Sequence, residues 1–242
     1  MFTHYRTQGF ILNKADSGEA DRIFTIYTKD FGKLKLLAKA ERKITSKLRM
    51  GLKLFYLSEI EFIQGKTYKT LTDVILIEKF ENTREDFKRL RIAYRVSDVL
   101  DNLVKSQESD EKIWQLLTET FNRLNNRLLP FSHYSLLYYY FIWNLFASLG
   151  YEPDLYNCSL CQKKLLLEKL YFNLKEEGII CSDCFKKVKS GKETEIETVK
   201  ILRVILEKNW QTLTKLKIEE KHFEGLSSFS QNYLSVVLER IR

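Results

Sequence analysis

Four cysteines, the only ones in the chain, form two Cys-x-x-Cys pairs. Cys158 and Cys161 make the first pair, Cys181 and Cys184 make the second, and nineteen residues separate the pairs. A Cys-x-x-Cys turn directs two sulfurs at one point, so two such turns can supply the four thiolates in a tetrahedron that Zn²⁺ prefers. Four protein ligands leave no coordination position for a water molecule. The spacing therefore predicts Zn²⁺ as a structural cofactor and not as a catalytic one.

Two strand-like runs, residues 171–174 and 178–180, lie between the cysteine pairs on either side of a polar turn. They predict a small hairpin that carries the second pair back to the first. None of the three histidines of the chain is needed as a ligand.

Two disulfides, or buried free thiols, are the alternatives for these cysteines. Disulfides form in oxidising compartments. Residues 1–6 contain neither a long apolar run nor a small-residue cleavage site, so they indicate no export signal. We therefore expect a cytoplasmic protein whose thiols are reduced and bind metal.

Positive charge is concentrated in one segment. The chain of 242 residues has a net charge of +8, and residues 29–53 alone contain nine basic and two acidic side chains, a local net charge of +7. Such a patch is the electrostatic footprint of a protein that binds a polyanion, and a solvated loop with a chance bias is the alternative. The candidate DNA-binding residues in this basic segment are Lys33, Lys35, Lys39, Arg42, Lys43, Lys47 and Arg49.

Residues 1–80 are predicted to form a small five-stranded β-barrel. Five short runs rich in β-branched and aromatic side chains alternate with turn-forming residues. They cover residues 6–12, 21–28, 33–36, 54–63 and 68–77, with turns at 15–19, 30–32 and 64–66. An OB-fold is the predicted barrel, because it often has a basic, aromatic-bearing face for single strands, and an SH3-like barrel is the alternative.

Side-chain alternation places Lys33 and Lys35 on one face of their strand, away from the leucines between them. Tyr27, Tyr56 and Tyr68 are candidates for stacking on nucleic-acid bases. For any single one of these tyrosines, packing in the core or across strands is the more common role.

From residue 81 onwards the apolar residues follow a helical period. Helices are predicted over residues 84–105, from a start at 109–111, and over 131–149, 198–213 and 229–241. The 131–149 stretch is long enough to span a membrane, but its polar residues and three consecutive tyrosines favour a buried core helix. The predicted fold is an α+β multidomain chain: a barrel domain over 1–80 that carries the basic segment, a helical domain over 81–242, and a zinc module over 151–190 inserted within the helical domain.

Signatures of an enzyme are missing from the sequence. It contains no phosphate loop, no Gly-x-Gly-x-x-Gly and no His-x-Glu beside Pro-Cys-x-x-Cys. We therefore predict no catalytic residues and no nucleotide cofactor. An enzyme with a zinc-dependent hydrolytic site would need an open coordination position at the metal.

Several motifs resemble those of the RecO family of bacterial recombination and repair mediators. Residues 18–22 resemble its Gly-Glu-x-Asp-Arg turn, and residues 31–33 resemble its Phe-Gly-x run. Lys39, Arg42 and Ser46 resemble its basic Lys-Gly-x-Arg-x-x-x-Ser region, and 149–155 with the cysteines resemble its Leu-Leu-Gly-Tyr-x-Pro-x-Leu-x-x-Cys-x-x-Cys junction.

Three departures from that pattern replace glycines. Ala40 stands in the basic region, Gln162 follows the second cysteine, and a Gly-Gly-like hairpin is reduced to Gly178 with Asn173 before it. All four cysteines are present.

The resemblance implies an N-terminal OB-fold and a helical domain that carries the zinc module. It implies binding to single- and double-stranded DNA, annealing of complementary strands, and action with RecR to load RecA onto DNA coated by single-strand DNA-binding protein. It also implies a cytoplasmic, nucleoid-associated protein that is not an ATPase, with no membrane partner. The alternative is a protein-binding scaffold with a structural zinc site and little DNA affinity, in which the helical domain is the working part.

Overall fold

A computed structural model of the protein describes residues 3–65, 67–105, 107–166 and 168–241. Lys66, part of the predicted turn at 64–66, lies outside the described residues. The contacts between residues divide the chain into two compact units, Met1–Tyr138 and Tyr139–Arg242. The first unit thus holds helices as well as the barrel, and the predicted domain boundary at residue 80 and module boundaries at 151 and 190 stay predictions.

The first unit begins with a closed five-stranded barrel, which confirms the predicted fold class. Its strands are β1 (His4–Ser17), β2 (Asp21–Thr28), β3 (Gly32–Ala38), β4 (Leu57–Gln64) and β5 (Lys69–Glu78). They follow the order β1-β2-β3-β5-β4, and β4 pairs back with β1. Every pairing is antiparallel except that of β3 with β5. This is the arrangement of an OB-fold barrel.

Alternating side chains fill the barrel. In β3 Leu34 and Leu36 are buried, whereas Lys35 between them is exposed. Phe24 and Phe62, from two other strands, lie in the same core cluster. The period-2 pattern therefore set which face of β3 carries positive charge.

Two predicted boundaries in the barrel are wrong. β1 runs through the predicted turn at 15–19 as far as Ser17, because its residues stay paired with β2 up to Asp21. The fourth strand starts at Leu57 and not at residue 54, because Phe55 has a φ of 66°. A left-handed backbone conformation interrupts an extended strand.

Four helices follow the barrel: α1 (Glu81–Glu85), α2 (Phe87–Leu103), α3 (Glu111–Asn125) and α4 (His133–Ser148), with the unit boundary inside α4. The single helix predicted over 84–105 is in fact two. Asp86 separates them, because its extended backbone ends α1 and its carboxylate accepts the N–H groups of Lys88 and Arg89 to begin α2. Asp110 caps α3 in the same way, which confirms the predicted start at 109–111.

The second unit contains α5 (Ser182–Val188), α6 (Ile196–Leu206), α7 (Trp210–Lys215) and α8 (Glu220–Ile241). A small sheet of β6 (Leu170–Asn173), β7 (Gly178–Cys181) and β8 (Lys192–Thr194) accompanies them. The helix predicted over 198–213 is interrupted where Lys208 adopts a φ of 57°, and Asn209 caps a new helix at the N–H of Thr212.

Aromatic side chains form the core of the second unit. Trp143, on α4, is fully buried, packs against Phe229 and Tyr233 of α8, and donates a hydrogen bond from Nε1 to Ser230 Oγ at 2.9 Å. The apolar stretch is thus a core helix, as predicted. Among the described residues, no helix has both the length and the apolar character to cross a bilayer.

Candidate metal centre and nucleic-acid interface

The four cysteines meet in one cluster. Their Sγ atoms all lie within 4.8 Å of one another, and those of Cys161 and Cys181 are 3.9 Å apart. All four are free thiols, so the disulfide alternative finds no support. A tetrahedral zinc ion with Zn–S bonds of about 2.3 Å requires sulfur separations of about 3.8 Å, and the donor set therefore fits this ion.

Backbone hydrogen bonds shape the first Cys-x-x-Cys turn. The Asp154 carboxylate accepts the N–H groups of Tyr156 and Asn157 at 2.7 and 2.9 Å, which starts the turn. The N–H of Gln162 then bonds to the Cys158 carbonyl, and the Cys158 N–H bonds to the Lys163 carbonyl, both at 2.8 Å. These bonds reverse the chain, so that the sulfurs of the pair lie on one side.

The predicted hairpin brings the second pair to the first. β6 and β7 pair in antiparallel register, which places Cys181 at the end of the hairpin and Cys184 in α5 directly after it. The N–H of Ser159 donates to the Ile179 carbonyl at 2.9 Å and joins the two turns. β8, which pairs with β6, was not predicted, because three residues are too few to show a strand period.

Electrostatics within the cluster favour a bound cation. Burial alone opposes ionisation of Cys158, but the N–H groups of Cys161, Cys181 and Leu160 outweigh it and lower the pKa of Cys158 to about 7. Burial, followed by the neighbouring thiols, raises the pKa of Cys184 to about 12. A thiolate therefore forms readily at Cys158, and its negative charge opposes ionisation of Cys184. A divalent cation relieves that conflict by supplying positive charge at the centre.

The cysteine cluster is attached to the core of the second unit. The Arg203 guanidinium donates two hydrogen bonds to the Leu155 carbonyl, at 2.6 and 3.0 Å, which fixes the chain just before the first pair. On the other side, the ring of Phe172 in β6 packs against Phe229 in α8 with centroids 4.7 Å apart.

The backbone is left-handed at the positions where this chain has another residue in place of a glycine of the RecO motifs. Ala40, Gln162 and Glu177, the residue before Gly178, have φ values of 53°, 58° and 50°. Non-glycine residues adopt this conformation at a cost of about 1–2 kcal/mol. The backbone has thus kept the geometry that glycine would favour, although the side chains differ.

We expect Gln162→Gly to stabilise the cysteine cluster by about 0.5–1 kcal/mol, because relief of left-handed strain exceeds the added flexibility of the unfolded chain. Thermal unfolding of the zinc-loaded protein measures the change. Gln162→Ala is the control, since it removes the same side-chain hydrogen bond to Ser159 but keeps a Cβ at the strained position. Equal stability of the two variants would contradict this account.

Six of the seven candidate DNA-binding residues are exposed. They are Lys35, Lys39, Arg42, Lys43, Lys47 and Arg49. Lys35 lies on β3, and the other five lie on the connection between β3 and β4, which contains a short 3₁₀ helix, Lys47–Met50.

Lys33 differs from the other six. Its side chain is only 11% exposed, and its Nζ lies 2.8 Å from the carboxylate of Asp101 on α2. The carboxylate of Asp101 neutralises the positive charge of Lys33, which would otherwise attract a phosphate. DNA binding by Lys33 stays a prediction, and this contact counts against it.

The acid of the connection is turned inwards. Glu41 is buried and accepts a hydrogen bond from Arg22 at 3.0 Å, while its neighbours Arg42 and Lys43 are exposed. The N–H of Ala40 bonds to the Asp21 carboxylate at 2.7 Å and helps to fix the turn. The connection is therefore held to the barrel by its acid and its backbone, and its cations point to solvent.

The three candidate stacking tyrosines are in different environments. Tyr27 and Tyr56 are buried, so their rings pack within the protein and are closed to a base. Tyr68 is 46% exposed and remains accessible. Sequence analysis overlooked Lys14, Arg84 and Tyr94, because they come from separate parts of the sequence; together with Lys53 of the basic segment they line a cavity beside the connection.

Comparison with known proteins covers the whole length of the chain. The family model described as "Recombination protein O N terminal" matches residues 1–80, and the one described as "Recombination protein O C terminal" matches residues 84–242. A DNA repair protein RecO from Dehalococcoides mccartyi is 32% identical over 98% of this chain and 91% of its own length. Another, from Acetivibrio thermocellus, is 27% identical over 98% of this chain and 93% of its own. This chain belongs to the RecO family of recombination and DNA repair proteins.

Proposed function

We propose that this protein is a mediator of DNA repair that binds single- and double-stranded DNA through its barrel and anneals complementary strands. In this proposal it acts with RecR to load RecA onto DNA coated by single-strand DNA-binding protein. The observation that carries the DNA-binding part is the connection after β3, where six exposed cations, five of them candidate DNA-binding residues, accompany a single acid that is buried.

Charge neutralisation is the physical basis of this activity. Each lysine or arginine that contacts a phosphate releases condensed counterions, which favours binding. Two complementary strands repel each other through their phosphates. A basic surface that holds both strands lowers this repulsion, so annealing requires no covalent step and no nucleotide hydrolysis.

The four cysteines are proposed to bind one structural Zn²⁺. The ion would join the turn at Cys158 and Cys161 to the end of the hairpin at Cys181 and Cys184. With four thiolate ligands it has no open position for a substrate. The protein is accordingly proposed to act without catalysis of its own, in the cytoplasm and in association with the nucleoid.

The proposed domain organisation assigns DNA binding to residues 1–80. Residues 81–242 form the helical domain, and the zinc module at 151–190 is an insertion in it. The family models, which meet between residues 80 and 84, support a boundary there.

A salt titration of the zinc-loaded full chain with a labelled single-stranded oligonucleotide tests DNA binding. If the six exposed candidates each contact one phosphate, the logarithm of the association constant should fall with the logarithm of salt concentration with a slope of about −4. Weak binding that is insensitive to salt would contradict the proposal and favour the protein-binding scaffold.

A further inference from the structure

A cavity of about 390 Å³ lies in the first unit, beside the connection between β3 and β4. Its apolar part comes from Leu52, Leu54 and Phe55, and Tyr94 of α2 contributes a second ring. Its volume is in the range of small-ligand sites. Basic side chains from three separate parts of the chain line the same cavity: Lys14, Arg22, Arg49, Lys53 and Arg84.

Phe55, one of the two aromatic residues that line the cavity, has an unfavourable backbone conformation. Phe55 is buried although its φ is 66°, a value that bulky residues rarely adopt. Its N–H donates to the Ile11 carbonyl at 2.8 Å, which anchors it to β1. Tyr94 meets its ring edge to face at 4.8 Å and is itself 44% exposed. Such strain persists where the surroundings enforce it and is common at ligand sites.

Four of the five cations form no ion pair in the described part of the chain. Arg22 is paired with Glu41, the single acid that lines the cavity, and with Asp16, whose carboxylate also interacts with Lys14 at longer range. Among the described residues, no carboxylate lies within ion-pair distance of the other four: Lys14, Arg49, Lys53 and Arg84. The cavity therefore carries an uncompensated positive charge, which suits an anionic ligand.

Arg84 is positioned before any ligand arrives. Its Nη1 donates to the Leu54 carbonyl at 2.8 Å, and its guanidinium lies 4.6 Å from the centre of the Tyr56 ring. A guanidinium has five N–H donors, and this is its one side-chain hydrogen bond within the described part of the chain. The remaining donors are suited to the oxygens of a phosphate.

We propose that this cavity binds one nucleotide of a DNA single strand, with its base against Tyr94 and its phosphate on Arg84 and Lys53. An aromatic wall beside fixed cations matches the two halves of a nucleotide, and stacking accepts any base. Arg49 belongs both to the basic segment and to the cavity, so a strand bound along the connection would lead into it. This inference rests on the proposed DNA binding.

The test compares two labelled oligonucleotides with equal numbers of phosphates, one of thymidines and one entirely abasic. The wild-type protein should bind the thymidine strand roughly 5- to 150-fold more tightly, as expected for one stacked base. Tyr94→Leu should lose most of this preference, and Tyr94→Trp should retain it. Tyr68→Leu tests the exposed candidate stacking tyrosine of the barrel, and this proposal expects it to retain the preference. Tyr156→Leu, at an exposed tyrosine of the second unit, is the matched control and should also retain it.

Each other outcome has a distinct meaning. Equal, salt-sensitive binding of both strands by the wild type would overturn the cavity proposal and leave DNA binding intact. Failure to bind either strand would refute the proposed function itself. If Tyr68→Leu loses the preference for the thymidine strand and Tyr94→Leu keeps it, the base stacks on Tyr68 and the cavity proposal is wrong. Thymidine monophosphate can also be added as a competitor. If it displaces the oligonucleotide at a concentration as low as the dissociation constant of the oligonucleotide itself, the cavity binds a free nucleotide, and the assignment to a DNA strand is overturned.

Discussion

Cys158→Ser is expected to reduce bound zinc from one ion per chain to almost none and to unfold the zinc module. Cys158 is fully buried, its carbonyl and N–H form the first turn, and its Sγ accepts the N–H of Cys181 at 3.4 Å. Structural zinc contributes an apparent binding free energy of about 10–16 kcal/mol in small domains, so loss of one of four ligands removes a large share of the local stability. Zinc analysis of the purified protein and thermal unfolding measure the two effects.

Lys163→Ala is the matched control for this substitution. Lys163 is exposed and contributes its backbone carbonyl to the same turn, which the substitution leaves in place. The control should keep its zinc and its unfolding temperature. A Cys158→Ser protein with unchanged zinc content and unchanged stability would refute the structural site.

Cobalt substitution of the wild-type protein separates the structural site from a hydrolytic one. Four sulfur ligands predict the absorption spectrum of a tetrahedral tetrathiolate centre, because all four Sγ atoms lie within 4.8 Å of one another. A spectrum with fewer sulfurs and a bound water would instead indicate an open position and favour an enzyme.

The triple substitution of Lys39, Arg42 and Lys43 by alanine is expected to weaken binding to single-stranded DNA by about 100-fold at 0.1 M salt. All three side chains are exposed on the connection after β3, so they are available to phosphates. Loss of three contacts should also make the salt slope shallower by about 2. A titration series with the oligonucleotide used for the wild type measures both quantities.

The stability of the triple variant should change little, because the contacts that hold the connection come from Glu41 and from backbone N–H groups. Arg42 contributes one exposed ion pair, at 3.5 Å from Asp16, and ion pairs between exposed side chains add little to stability. Alanine at Lys163, Lys169 and Lys187, three exposed lysines of the second unit, removes the same charge and should retain nearly full affinity. Equal losses in the two triple variants would show that binding is not localised on the connection.

Local patterns predicted the architecture of this protein well. The spacing of four cysteines predicted that their thiols cluster, because two Cys-x-x-Cys turns joined by a hairpin need no information from the rest of the chain. Alternation in β3 placed Lys35 outside and the leucines inside for a similar reason. Helix breaks were missed at Asp86 and Lys208, since a single cap or a left-handed residue overrides an otherwise continuous apolar period.

The positions where another residue replaces a glycine of the family motifs show what the structure adds to the sequence. From the sequence, Ala40 and Gln162 are only exchanges in a family pattern. The structure adds that both residues adopt the left-handed conformation. The strain is therefore a property of these positions, set by the hydrogen bonds that close the two turns.

Local patterns in the sequence were enough to predict the four-cysteine cluster, the barrel, the core helix and the excess of positive charge on one segment. Which cations are available to a ligand depends instead on contacts between distant parts of the chain. Lys33 is neutralised by Asp101, 68 positions away, and Glu41 is withdrawn from the basic surface by Arg22, 19 positions away. Lys14, Lys53 and Arg84 meet around one cavity for the same reason. Whether a charge is paired depends on side chains that folding brings together, and no local spacing encodes those contacts.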